Sequence, residues 1–172
     1  MSNRHWGGLA AILTATMVAA CNSATGPAGN PLIDRVYLDS LAAHHAAVVV
    51  AARQAMTSAT HPELQAWAKT LVDEEEGELE QLNGWRLSWF RDSKVTPPGP
   101  VPIPVAGKAF DEGWLRAMVP EFQQAGVLAR NARAAHVRSE LYSLAHLILD
   151  EHQSHQDKAT LWLQQWYGVT PP

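Results

Sequence analysis

The two halves of this chain share one frame. Asp34 pairs with Asp111, 77 positions further on, and the same offset pairs Tyr37 with Trp114, Leu38 with Leu115 and Leu41 with Met118. It runs on without a gap through Glu63-Leu64 and Glu140-Leu141, Ala68 and Ala145, Leu71 and Ile148, Trp85 and Trp162, and Trp89 and Trp166. Identical residues held in register over so long a span read as an internal duplication. Inside each unit, apolar or small residues recur at three- and four-residue steps, which is the spacing of one helix face.

The breaks between these stripes divide each unit into two helices. Pro31 suits a first helical turn with Asn30 as its cap. The stretch "TSATHPEL" interrupts the pattern, and there Thr60 or His61 can cap while Pro62 opens a second helix that ends near Phe90. The prolines of "DSKVTPPGPVPIPVAG" forbid a helix and favour extended chain. A third helix starts near Ala109 and a fourth near Ser139. A helix of roughly 27 residues is about 40 Å long at 1.5 Å per residue. Some 13 residues of polyproline, at about 3.1 Å each, span a similar distance. The linker can therefore run the length of the bundle and set helix 3 parallel to helix 2. The predicted fold is all-α, a ferritin-like four-helix bundle built from two repeated helical hairpins with one long Pro-rich crossover. Residues 34–90 form repeat one, 92–107 the linker and 109–167 repeat two, within a bundle that spans 32–172.

The N-terminus reads as an address rather than as fold. Arg4, an apolar run from Leu9 to Val18 and small residues before Cys21 have the shape of a secretory signal. The ending "VAAC" resembles a bacterial lipobox, which implies cleavage after residue 20, lipidation of Cys21 and a short tether over 21–31. Asn22 after the cysteine fits a lipoprotein of the outer membrane, on the periplasmic side. Cys21 is the only cysteine, so neither a disulfide framework nor a thiolate cluster is available. The chain is 47% hydrophobic, enough for a real core, and its net charge of -4 comes without a basic cluster, which argues against nucleic acid as a partner.

Each apolar stripe is interrupted near its middle by ligand-type residues. Helix 1 carries His44, helix 3 carries Glu121, helix 2 carries Glu75 and Glu78, and helix 4 carries His152 and His155. The 77-residue offset makes His44 equivalent to Glu121, Glu75 to His152, and Glu78 to His155. A buried, unpaired carboxylate costs several kcal/mol, so three carboxyls and three imidazoles at one level suggest a shared stabilising ion. Carboxylate and imidazole both bind first-row transition metals. One ligand from each of two helices and an i, i+3 pair from each of the other two is the layout of di-metal carboxylate bundles. His45 flanks the stripe and is open to direct or supporting ligation. Asp73, Glu74, Glu76, Glu80 and His146 read as a solvated face, and His61 and His136 fall at the hairpin turns. Trp85, Trp89, Trp162 and Trp166 read as core residues that close the far end of the bundle.

The segments "DRVYLDSLAAHHAAVVVAA" and "HPELQAWAKTLVDEEEGELEQLNGW" resemble the bacterial domain of unknown function 305 family. The second half, "FDEGWLRAMVPEFQQAGVLA" through "WLQQWYG", fits the same frame without the His pair. The resemblance implies a ferritin-like fold. Some members resemble periplasmic copper-binding proteins linked to metal resistance, with His and Met ligands. By the resemblance, His44, His45, Glu75 and Glu78 occupy the family's polar positions. The family's Met positions hold Leu41, Ala51 and Leu82 here, and only Met118 remains in the second half, so a harder His/Glu site for copper(II), zinc, iron or manganese is favoured. The leading expectation is a membrane-anchored lipoprotein that binds one or two transition-metal ions. A metal-free structural or interaction module, and a di-metal oxidase or ferroxidase, stay open beside it, and no catalytic residue is assigned.

Overall fold

The computed structural model describes residues 29–93, 101, 103 and 110–169. Four helices carry the fold: α1 Pro31–Ser58, α2 Pro62–Phe90, α3 Phe110–Ala134 and α4 Ser139–Tyr167. No strand occurs among the described residues. Prolines at the first turns of α1 and α2 start helices where an N–H has no intrahelical partner in any case. Asn30 caps α1 by accepting the Leu32 amide at 3.0 Å. At their ends α2 and α4 both turn into the left-handed region, at Arg91 with φ 58° and at Gly168 with φ 67°, two positions that the 77-residue offset also pairs.

Packing joins α1 to α2 and α3 to α4 as two hairpins, which meet chiefly through α1 and α3. The contacts at both ends fix their directions. Thr60, just past α1, binds Asp111 at the start of α3, while Asn30, just before α1, donates to the carbonyl of His136, just past α3. Hence α1 and α3 are antiparallel, and α2 and α3 run parallel, as a full-length crossover requires. The path of that crossover and the predicted signal, tether and lipid-bearing Cys21 lie outside the described residues, but Val101 and Ile103 pack onto the core.

Two differences from the sequence reading have clear causes. His61 occupies the N-cap of α2, yet its side chain makes no capping bond. The acceptor for the exposed amides is Asp111, supplied by the other hairpin. The four tryptophans do not close one end. Trp85 stacks on Trp89 at one end, and at the other Trp162 stacks on Trp166, which stacks in turn on His61, because α2 and α4 run in opposite directions. Pro120 lies inside α3 with its ring exposed, and the helix continues through it.

The core is split across its middle. One apolar cluster gathers the second half of α1, the first halves of α2 and α3, and Ala159 and Leu163 of α4, with Trp67, Trp114 and Phe122 at its centre. The other gathers Leu38, Leu41, Leu82, Ala129, Leu141 and Ile148 with their neighbours. Trp114 ties the hairpins together, since its Nε1 donates to the Ala51 carbonyl at 2.9 Å. Between the two clusters lies a layer of buried polar side chains.

Candidate metal centre

The polar layer is built where the sequence breaks its stripes. His44 and His45 come from α1, Glu75 and Glu78 from α2, Glu121 from α3, and His152 and His155 from α4. His45, Glu75 and His152 are each at most 2% exposed. His45 Nδ1 meets Glu75 Oε2 in a short contact and lies 3.3 Å from Glu78 Oε2. His152 Nε2 lies 3.5 Å from Glu75 Oε1. Each of His45, Glu75, Glu78 and His152 offers one ligand atom, and these atoms all lie within 4.8 Å of one another.

The other three predicted residues flank this tetrad. His44 faces Glu121 across α1 and α3, with Nδ1 3.8 Å from Oε2, and its ring centroid is 5.6 Å from that of His152. On the opposite face His155 packs against Phe122 and Trp67, and its Nε2 lies 3.4 Å from Glu74 Oε2. The layer is therefore a central group of four with a His–Glu pair on either side. His45, left between direct and supporting roles by the sequence, sits at the centre.

Two acidic residues of the layer were not anticipated. Glu74 is exposed, as its helical position suggests, but it reaches His155. Glu151 hydrogen-bonds Glu78. The signal that could have found them is the 77-residue offset, which relates Glu74 to Glu151 and thereby relates the Glu74–His155 contact to the Glu151–Glu78 contact. The same offset exchanges the partners within His44–Glu121 and within Glu75–His152.

Burial sets the charge of the layer. It lowers His44 to about 3, helped by nearby His45, and lowers His45 to about 4 against the opposing pull of Glu151. His152 falls to about 2 through burial and the neighbouring imidazoles, and His155 to about 4 through burial and Lys158. Burial, with the Glu74 and Glu151 charges, pushes Glu75 well above the carboxylate range. Glu78 rises to about 9 through burial, its hydrogen bond to Glu151 and the charge of Glu75. At Glu75 and Glu78, neutral imidazoles thus face carboxyls pushed toward the protonated form, which is how a dry interior tolerates such groups.

Several of these groups still lack a partner. His44 Nε2, His45 Nε2, His152 Nδ1 and Glu78 Oε1 are buried without a hydrogen bond from the protein. Native interiors leave few polar atoms in that condition; in His45 and His152 it is the other ring nitrogen, Nδ1 and Nε2 respectively, that faces the carboxyls. Met118 packs in the apolar cluster instead, so the donors of the tetrad are nitrogen and oxygen. That set suits copper(II), zinc, iron or manganese, and lacks the soft sulfur that selects copper(I).

Known proteins share this architecture. CopM in the apo form superposes with a TM-score of 0.71 at 26% identity, covering 78% of this chain and 98% of that one. CopM in the Cu(I)-bound form gives 0.69 at 25% identity, covering 78% and 98%. CopM in the Ag-bound form gives 0.70 at 26%, covering 78% and 97%. No curated protein matches the chain. The model of the domain of unknown function DUF305 matches residues 2–94, more than half of the sequence. The chain belongs to the DUF305 family.

Proposed function

We propose that this protein is a lipoprotein of the bacterial envelope that binds one or two transition-metal ions in its polar layer. His45, Glu75, Glu78 and His152 are the ligands of the first ion. The observation that carries the reading is their convergence, with ligand atoms within 4.8 Å of one another. The likeness to CopM, solved in Cu(I)-bound and Ag-bound forms, makes copper the first ion to test. The nitrogen and oxygen donors extend the candidates to zinc, iron and manganese. In this reading the 77-residue frame is a duplicated hairpin, and its two copies supply opposite walls of the site. No helix among the described residues is long and apolar enough to cross a membrane, and the anchor in this reading is lipid on Cys21.

The decisive experiment is elemental analysis of the mature protein, purified without a His-tag, after exposure to each metal and desalting. Stoichiometric retention that is lost in Glu75→Gln and in His152→Ala is the expected result. The competing reading is a metal-free structural or interaction module, and one observation favours it: the carboxyls of the layer already face imidazoles or one another. No retained metal under any condition would establish that reading instead.

A further inference from the structure

The central tetrad is buried, so an ion needs a route to it. Between α1 and α3 lies a cavity of about 430 Å³ whose wall includes Ser40, Ala43, His44, Val101, Glu121 and Gln124. The Glu121 side chain is 23% exposed there, while that of His44 is only 4% exposed. His44 therefore stands between the cavity and the interior. Its Nδ1 faces Glu121, its Nε2 has no partner, and its ring lies 6.0 Å from that of His45 and 5.6 Å from that of His152.

We infer that His44 and Glu121 form a cation entry port, where an ion from solvent is held briefly before it passes the His44 ring to His45 and His152. The inference rests on the metal-binding reading and adds the route. The donors on this face suit a cation. The Glu121 carboxyl and the oxygens of Ser40 and Gln124 attract or ligate a cation. On the opposite face the Lys158 ammonium sits 5.4 Å from the Trp67 ring centre, beside Glu74 and His155, so the carboxylates there already have a cation of the protein's own. A second cavity, of about 310 Å³, has Arg130 in its wall. The donor count also favours passage over residence. One imidazole and one carboxylate fall short of the four ligands of a stable zinc-like site, whereas the tetrad supplies four.

The test is stopped-flow mixing of the metal-free protein with copper(II) sulfate, followed by quenching of tryptophan fluorescence. Trp67, with its ring 5.9 Å from that of His155, reports arrival. Glu121→Gln keeps the bulk of the side chain and removes its charge. Ala43→Phe fills the cavity without altering a ligand. Both should slow loading by about tenfold or more, and Ala43→Phe should leave the equilibrium affinity, measured by chelator competition, as in the native protein. Native loading rates in Glu121→Gln overturn the port, whatever Ala43→Phe does to folding. Loss of bound copper at equilibrium in Glu121→Gln also overturns it, since Glu121 would then hold a resident ion. Absence of quenching in the native protein is a different failure, because it removes the metal-binding reading and the port together.

Discussion

The Asp111 carboxylate accepts the backbone amide of His61 at 2.8 Å, so the first turn of α3 caps the first turn of α2. It also takes the Thr60 amide at 2.9 Å and the Thr60 hydroxyl at 2.8 Å. The other end of the bundle repeats the device. Asp34 accepts the Arg138 amide at 2.9 Å and its Nε at 3.1 Å. Gly29 runs so close to this turn that a Cβ on it would lie 2.4 Å from the Arg138 nitrogen. Each hairpin thus supplies the cap that the other lacks, and the two cannot separate without exposing unpaired amides.

Asp111→Ala should therefore destabilise the fold by about 1–2 kcal/mol, the loss of the cap on the Thr60 and His61 amides. The effect should also depend on pH. Burial pushes the Asp111 carboxyl up, but the bonds from Thr60 and His61 outweigh it and hold the group below its ordinary 3.8. A depressed folded value means that the stabilisation is fully present above 3.8 and disappears as pH falls through the folded value. Thermal melts of native and Asp111→Ala protein should differ at pH 6 and draw together as the pH falls below 3.8 and through the depressed folded value. A constant difference across that range would contradict the ionic cap.

The architecture was legible because it rests on periodicity and chain length. Stripes such as Leu64, Trp67, Leu71 and Leu82 give the helices, and the length of the Pro-rich linker gives the parallel placement of α2 and α3. Contacts between hairpins were not legible. Nothing near His61 announces that its cap comes from Asp111, 50 positions away. The tryptophan pairs were placed at one end because the offset was read without the opposed directions of α2 and α4. Within the layer, wheel angles found the residues that point straight inward but not those that reach in from the rim. Glu74 is such a residue, with a backbone position on the solvated face and a carboxylate against His155.

Pro120 breaks a local rule. Inside a helix proline removes a backbone donor and crowds the preceding turn, yet α3 runs through it with its ring exposed. Pro120→Ala should restore the missing bond without touching the core and stabilise the protein by up to about 3 kcal/mol. Chemical denaturation should show a higher midpoint at an unchanged slope. A lower midpoint would mean that the proline shapes the turn that carries Glu121.

The membrane reading depends on one atom, the Cys21 sulfur. Cys21→Ala removes the only thiol in the chain, and with it the sole site for a thioether-linked lipid. The variant should be found in the soluble fraction or accumulate unprocessed, as judged by fractionation and intact mass. Unchanged membrane association of a fully processed variant would rule out lipid as the anchor.

Metal and scaffold readings separate most clearly by melting temperature. A ligand that binds only the folded state stabilises it by about 2.7 kcal/mol at a hundred times its dissociation constant. For a chain of this size that is a rise of about 5–10 °C. Copper(II) or zinc should produce it in the native protein, and Glu75→Gln or His152→Ala should abolish it. Converting His45, Glu75, Glu78 and His152 together to Leu or Met should do something different. Without metal, that variant should be neutral or more stable by about 1–4 kcal/mol, because buried polar groups rarely repay their desolvation against apolar residues of equal bulk. Its melting should ignore added metal. The gain in metal-free stability is expected under either reading, so the response of the native protein decides. If native melting ignores every metal tried while the apolar variant is more stable, the layer serves the packing of four helices and binds no ion.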